Sequence, residues 1–414
     1  MMNRRHFLDH LAGIAAFGAS AFTLGGAMQA AAADLKRRNK SAILLWMSGG
    51  PPTIDLWDMK PGAATGGPLT PISTTGDLQI CERLPMIADQ MKHLSVVRSM
   101  STREADHTRA SYYLRTGFVP NPSVRHPSYG AVVAEQMARL DEGFDLPAFV
   151  SVGGRSEGPG FLGMAYAPFQ VNSNGRVRNV GQPMDAGRLG PRMDLLNTIE
   201  SRFIRQGRGQ AAAEHAKVLT RANRLMTSSQ MASFNVSQES EAVRERYGQT
   251  GFGNGCLMAR RLVEAGVSFV EVNMGGWDLH NDCFGALDNK LPEMDRAMSA
   301  LVEDLSERGL LEDTVVLWMG EFGRTPSINS NGGRDHYARA WSAVVGGGGL
   351  SGGLAIGETS DDGSQVVSAP HSSEDLMATI CRALGIDLST EHTATNGRPM
   401  KIAGGGTPIA ELFA

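Results

Sequence analysis

Three short, almost uninterrupted apolar runs constrain this chain most: SAILLWM at 41–47, VSFVEV at 267–272 and TVVLWM at 314–319. A strand with one solvated face alternates apolar and polar residues. A strand covered on both faces does not, and such strands belong to parallel sheets sandwiched between helices. Helical periodicity fills the intervals at 254–265, 291–308 and 372–384, and Gly266, Gly309 and Gly385 stop these segments. Further strands are expected at 94–98 and 340–345, and further helices at 193–204 and 211–231. Residues 60–80 and 123–190 are rich in glycine, proline and polar turn formers. They read as loops, the second set lying over one face of the sheet. The alternation predicts an α/β fold with a mostly parallel central sheet covered on both sides.

The first 33 residues read as a separate unit. Arg4-Arg5 precede an apolar, Ala/Gly-rich run from Leu11 to Met28, and small residues crowd positions 27–33. Adjacent arginines, a modest apolar run and an A-x-A-like end make a twin-arginine signal, which passes folded proteins to the twin-arginine export machinery. The competing reading is a membrane anchor, but the run is short and Gly-rich for ~30 Å of hydrocarbon. A periplasmic or secreted chain is therefore expected, with one domain over 34–414. No later stretch is apolar enough to span a membrane. The formal charge of −4 argues against a nucleic-acid or anionic-membrane partner. Four scattered cysteines, none in CxxC spacing, exclude a thiolate zinc cluster. Cys256 and Cys381 sit on helical patterns among apolar neighbours and are expected to be buried.

In open α/β sheets, ligand sites lie beyond the carboxyl ends of the strands. Asp55 and Asp58 follow the first strand. Asp278 and His280 follow the second in GGWDLH. Glu321 and Arg324 follow the third in GEFGRTP, with Asp335 and His336 further on in GRDH. Alone, each is an ordinary turn former or hydrogen-bond partner. Together, at three strand ends, they are a donor set for a divalent cation. A second cluster, RSMSTREADHTR at 98–109, holds His107, Thr108, Arg103 and Arg109. It joins hydroxyls and an imidazole to cations, as an ester-hydrolysing site requires, although a solvated helix start has the same composition.

These motifs resemble a known pattern. ERGLLEDTVV at 307–316, followed by an acidic-Phe-Gly turn, is similar to the sulfatase strand that ends in a metal-binding turn. EDLMATICRALGI at 374–386 is similar to a later sulfatase helix, and RASYYLRTG at 109–117 to the segment behind the sulfatase nucleophile. The leader, LLWMSGGPPTID, ARRLVEAGVSFVEV, GGWDLH, GEFGRTP and GRDH together resemble the domain of unknown function 1501 family of exported proteins, in the alkaline phosphatase and sulfatase superfamily. The resemblance covers residues 38–414. It implies an alkaline-phosphatase/sulfatase-like α/β/α sandwich with metal and catalytic groups at strand ends.

By that resemblance Glu321 stands at a metal position, with Asp55, Asp278, His280, Asp335 and His336 as the other candidate ligands. The ion implied is Zn, Ca or Mg. His107, Thr108, Arg109 and Arg324 are the candidate catalytic groups. The Cys/Ser-x-Pro-x-Arg sulfatase nucleophile motif is absent, and His107 or Thr108 stands nearby instead. The implied activity is metal-dependent hydrolysis of phosphate or sulfate esters, small-molecule or glycan. A catalytically silent member that binds polysaccharide or partner proteins is the alternative.

Overall fold

The computed structural model describes residues 40–138, 143–174 and 210–414, with scattered positions between 191 and 205. The leader, and half of the helix expected over 193–204, lie outside the described residues, and the described positions of that span are helical.

Eight strands form one sheet: β1 (Ser41–Met47), β2 (Leu94–Met100), β3 (Phe149–Val152), β4 (Phe169–Val171), β5 (Phe269–Met274), β6 (Thr314–Met319), β7 (Trp341–Gly347) and β8 (Ala355–Ile356). Their spatial order is β8-β2-β7-β6-β1-β5-β3-β4. β1 lies at the centre, parallel to both β5 and β6. Only β7 runs against its neighbours, pairing antiparallel with β6 and β2. All seven β1 residues are buried. Ile43, Leu45 and Met47 pack on one side with Leu257 and Leu262, and with Leu291 and Met298. Ala42, Leu44 and Trp46 pack on the other with Val132, Val133, Leu376 and Ile380. This two-sided burial is why the strand shows no alternation, and the expected α/β/α sandwich is the fold.

The covering helices used below are α1 (Thr53–Leu56), α2 (His107–Thr116), α3 (Tyr129–Met137), α4 (Gly251–Glu264), α5 (Cys283–Glu307) and α6 (Ser373–Leu384). Hydroxyl and carboxylate caps fix the starts of α2 to α6. Asp106 accepts from the Arg109 amide, Thr250 from Gly253, and Ser372 forms a capping box with Asp375. α5 starts earlier than its pattern suggested. The helix begins at the Asp282 cap and runs on through Pro292. The 123–190 segment is also corrected. Its Gly/Pro/Asn composition hides α3, β3 and β4, because elements this short leave little periodicity to read.

All four cysteines are buried, Cys256 in α4 and Cys381 in α6 as expected. Burial pushes the thiols of Cys81 up to about 11 and of Cys283 and Cys381 up to about 12, the range of inert structural cysteines. Among the described residues no helix is long and apolar enough to cross a membrane.

Candidate metal centre

The carboxyl ends of β1, β5 and β6 lie side by side, so the segments leaving them converge. β1 ends in Gly49 and Gly50, both with positive φ (117° and 71°). That tight turn brings the Gly49 amide to Glu321, whose Oε1 accepts at 2.9 Å. A Cβ at Gly49 would stand 2.5 Å from the Asp278 nitrogen. The backbones after β1 and β5 thus touch directly, and only glycine permits it. Gly49→Ala is therefore expected to displace Asp278, costing about 1–3 kcal/mol in strain. A thermal melt and metal content measured on the same preparation check this. A variant matching wild type in both would refute the close approach.

Asp278 Oδ1 is the hub. His280 Nε2 lies 3.0 Å from it, His336 Nε2 3.2 Å and His107 Nε2 3.3 Å. His107 arrives from the first turn of α2. His336 arrives from a two-residue strand pairing with Gly323 and Arg324. His107, Asp278 and His336 offer ligand atoms all within 4.8 Å of one another. Each imidazole is held from behind. His107 Nδ1 is 2.8 Å from Glu321 Oε1, His280 Nδ1 is 2.7 Å from Asp335 Oδ1, and His336 Nδ1 is 2.8 Å from the Ala105 carbonyl. Phe322, fully buried, lies against the rings of His107 and His336 with centroids 5.0 and 4.6 Å away.

Electrostatics follow from these contacts. The Glu321 hydrogen bond, with the charges of Glu321 and Asp278, holds His107 above the ordinary imidazole range, although partial burial opposes it. Partial burial pulls Asp278 up, but Arg324's hydrogen bond and charge outweigh it, with help from His336 and His107, and bring it down to about 2. His280 holds Asp335 below the usual carboxylate range. Two buried atoms of this cluster make no hydrogen bond, His107 Nε2 and Glu321 Oε2. A bound cation gives such orphaned groups a partner. The donor set fits a divalent ion.

His107, Asp278 and Glu321 of the cluster line an open cleft of about 390 Å³, together with Ser48, Gly49, Thr108 and Ser111. Ser111 and Ser48 were not anticipated. Ser111 lies one turn past His107 on α2, so it shares His107's face, a spacing the sequence does show.

Other expected site residues are placed differently. Asp55, at the end of α1, is buried away from the cluster. Both its oxygens accept from Arg334, from Nε and Nη2 at 2.7 Å each, so the carboxylate is committed to a buried ion pair. Asp58 pairs with Lys60 and Arg98. Arg109 turns back onto Glu104, at 2.7 and 2.8 Å, and is half exposed. Arg324 is fully buried. It donates to the carbonyls of Gly49, Gly50, Trp277 and Arg334 and to Asp278 at 2.6 Å. Instead of steadying a substrate, it ties three strand-end loops together and neutralises the hub. Arg103 is exposed and does not line the cleft.

The family model described as a protein of unknown function, DUF1501, matches residues 39–413. The chain belongs to the DUF1501 family. No curated protein matches it. Among solved structures, this DUF1501 chain is similar to an alkaline phosphatase superfamily protein from Vibrio parahaemolyticus. Identity is 13% over 91% of this chain and 70% of that one, with a TM-score of 0.39. It is also similar to a sulfatase from Pseudoalteromonas sp., at 14% identity over 84% of this chain and 68% of that one, TM-score 0.39. A third similar structure is the TAB5 alkaline phosphatase, at 11% identity over 84% and 98%, TM-score 0.36.

Proposed function

We propose that this DUF1501 chain is a metal-dependent hydrolase of phosphate or sulfate esters, acting outside the cytoplasm on small-molecule or glycan esters. One observation carries the reading. Three imidazole Nε2 atoms surround the oxygen of one carboxylate, at 3.0–3.3 Å, and that carboxylate and His107 line a cleft at the carboxyl ends of parallel strands. His107, Asp278 and His336 would hold a divalent ion there, with His280 beside them. When bound, such an ion supplies Lewis acidity toward an ester oxygen. The chain's own residues do the rest. Glu321 and Asp335 fix the rings, Arg324 keeps Asp278 ionised, and the hydroxyls of Ser48, Thr108 and Ser111 offer donors that orient the ester.

The expected result is slow turnover of an aryl phosphate or aryl sulfate that chelation abolishes and added metal restores. His336→Ala should lower it at least 100-fold. Equal turnover by wild type, His336→Ala and chelated protein would refute the reading. The placement of Arg109 and Arg324 favours a second reading, a silent member that binds polysaccharide. Saturable polysaccharide binding with no turnover of any ester would support it.

We also propose export through Arg4-Arg5. Replacing both by lysine should hold a reporter fusion in the cytoplasm, and export of the double variant at the wild-type rate would refute this.

A further inference from the structure

The three histidines share a feature beyond their convergence, and it bears on which ion the cleft takes. Resting on the metal-centre reading above, we propose that the site selects a late first-row transition ion, such as Zn²⁺, over Ca²⁺ or Mg²⁺, through imidazoles locked in one tautomer.

The locking follows from what stands behind each ring. Glu321 Oε1, Asp335 Oδ1 and the Ala105 carbonyl oxygen are acceptors only, so each Nδ1 must carry the proton. In that tautomer a ring presents its lone pair at Nε2. The partners are themselves fixed. Glu321 is buried and also accepts from the Gly49 amide, and Asp335 Oδ1 also accepts from Asn329 Nδ2 at 3.2 Å. His280 Nε2 and His336 Nε2 face each other at 3.0 Å, and both face Asp278 Oδ1. Lone pairs opposed at that distance, around an anionic oxygen, repel unless a proton or a cation lies among them. A cation held among them takes these lone pairs together.

The donor set then decides which cation. Ca²⁺ and Mg²⁺ take oxygen shells, whereas this cluster offers two imidazole nitrogens and one carboxylate to a single ion, with the His280 imidazole beside them. Imidazole with a carboxylate behind it is the arrangement that orients and strengthens a zinc ligand. Glu321 and Asp335 are on this account positioning residues that act through His107 and His280.

The test uses the full chain, stripped of metal and refilled with Zn²⁺, Ca²⁺ or Mg²⁺ alone in competition with a chromophoric chelator at pH 7.5. Zn²⁺ should bind at least 1000-fold tighter than Ca²⁺ or Mg²⁺. Asp335→Asn and Glu321→Gln should each weaken Zn²⁺ binding about 10–100-fold. Nitrogen-15 spectra of the Zn²⁺ form should show the histidines protonated at Nδ1. Asp335 is more than half exposed, so its variant folds even where the Glu321 variant does not. Tighter Ca²⁺ or Mg²⁺ binding, or unchanged Zn²⁺ affinity in the variants, would overturn this inference and leave a metal-dependent hydrolase standing. No binding of any divalent ion would overturn both.

Discussion

Arg334→Ala is expected to remove about 3–5 kcal/mol of stability, a large part of the 5–15 kcal/mol typical of a folded domain. Arg334 and Asp55 are both buried, at 0% and 2% exposure, and meet in a two-pronged pair. Arg334 also donates to the carbonyls of Thr65, Thr325 and Pro326. Removing it leaves an uncompensated carboxylate and three orphaned carbonyls. Burial already pushes the Asp55 carboxyl up, against the opposing charge of Arg334. In the variant only the upward push remains. A carboxyl raised in the folded state favours folding below its ordinary value of about 3.9 and penalises it as pH rises. The variant's deficit should therefore narrow as the pH falls toward the carboxylate range. Urea titrations from pH 7 to pH 4 measure this. Arg334→Lys should recover only part of the loss, because an ammonium cannot make the fork. A deficit under about 1 kcal/mol at pH 7 would mean the pair is not sealed from water.

The same pair shows what could be read from the residues and what could not. The apolar runs at 41–47 and 314–319 located the central strands because burial on both faces leaves a plain mark on sequence. The antiparallel direction of β7 left none, since it depends on the route taken through the short ribbon of Gly323–Arg324 and His336–Tyr337. Strand ends likewise located Asp278, His280, Glu321 and His336, because chain direction in a parallel sheet fixes where loops gather. Roles within the cluster were not legible. Asp55 and Asp278 both follow strands, and only three-dimensional pairing gives one to Arg334 and makes the other a hub. His107 reads as a catalytic candidate from its neighbours, and its approach to Asp278 depends on how α2 is aimed. Arg324 looks like an anion donor in sequence, but its carbonyl partners come from three separate loops.

Metal loading should have the other large effect. An ion present at 100 times its dissociation constant stabilises the fold by about 2.7 kcal/mol. Chelation should remove that increment, and His336→Ala should abolish the response to both metal and chelator. The pH dependence separates the two forms. In the metal-free protein, Glu321 raises the folded-state value of His107, so its contribution is fully present below about 6.5 and is lost as pH rises through that raised value. In the loaded protein the sign reverses, because the ion needs unprotonated imidazoles and protons displace it as the pH falls. The melting temperatures of the two forms should diverge at pH 8 and converge near pH 5. Parallel curves across that range would count against histidine ligands.

The most direct measurement is anomalous diffraction from crystals of protein purified without chelators, collected at the absorption edge of the ion found by elemental analysis. A single peak is predicted among His107 Nε2, His336 Nε2 and Asp278 Oδ1, at about 2.0–2.2 Å from each. A map with no peak there, and the three side chains hydrogen-bonded to one another in its place, would contradict a metal centre in this cleft.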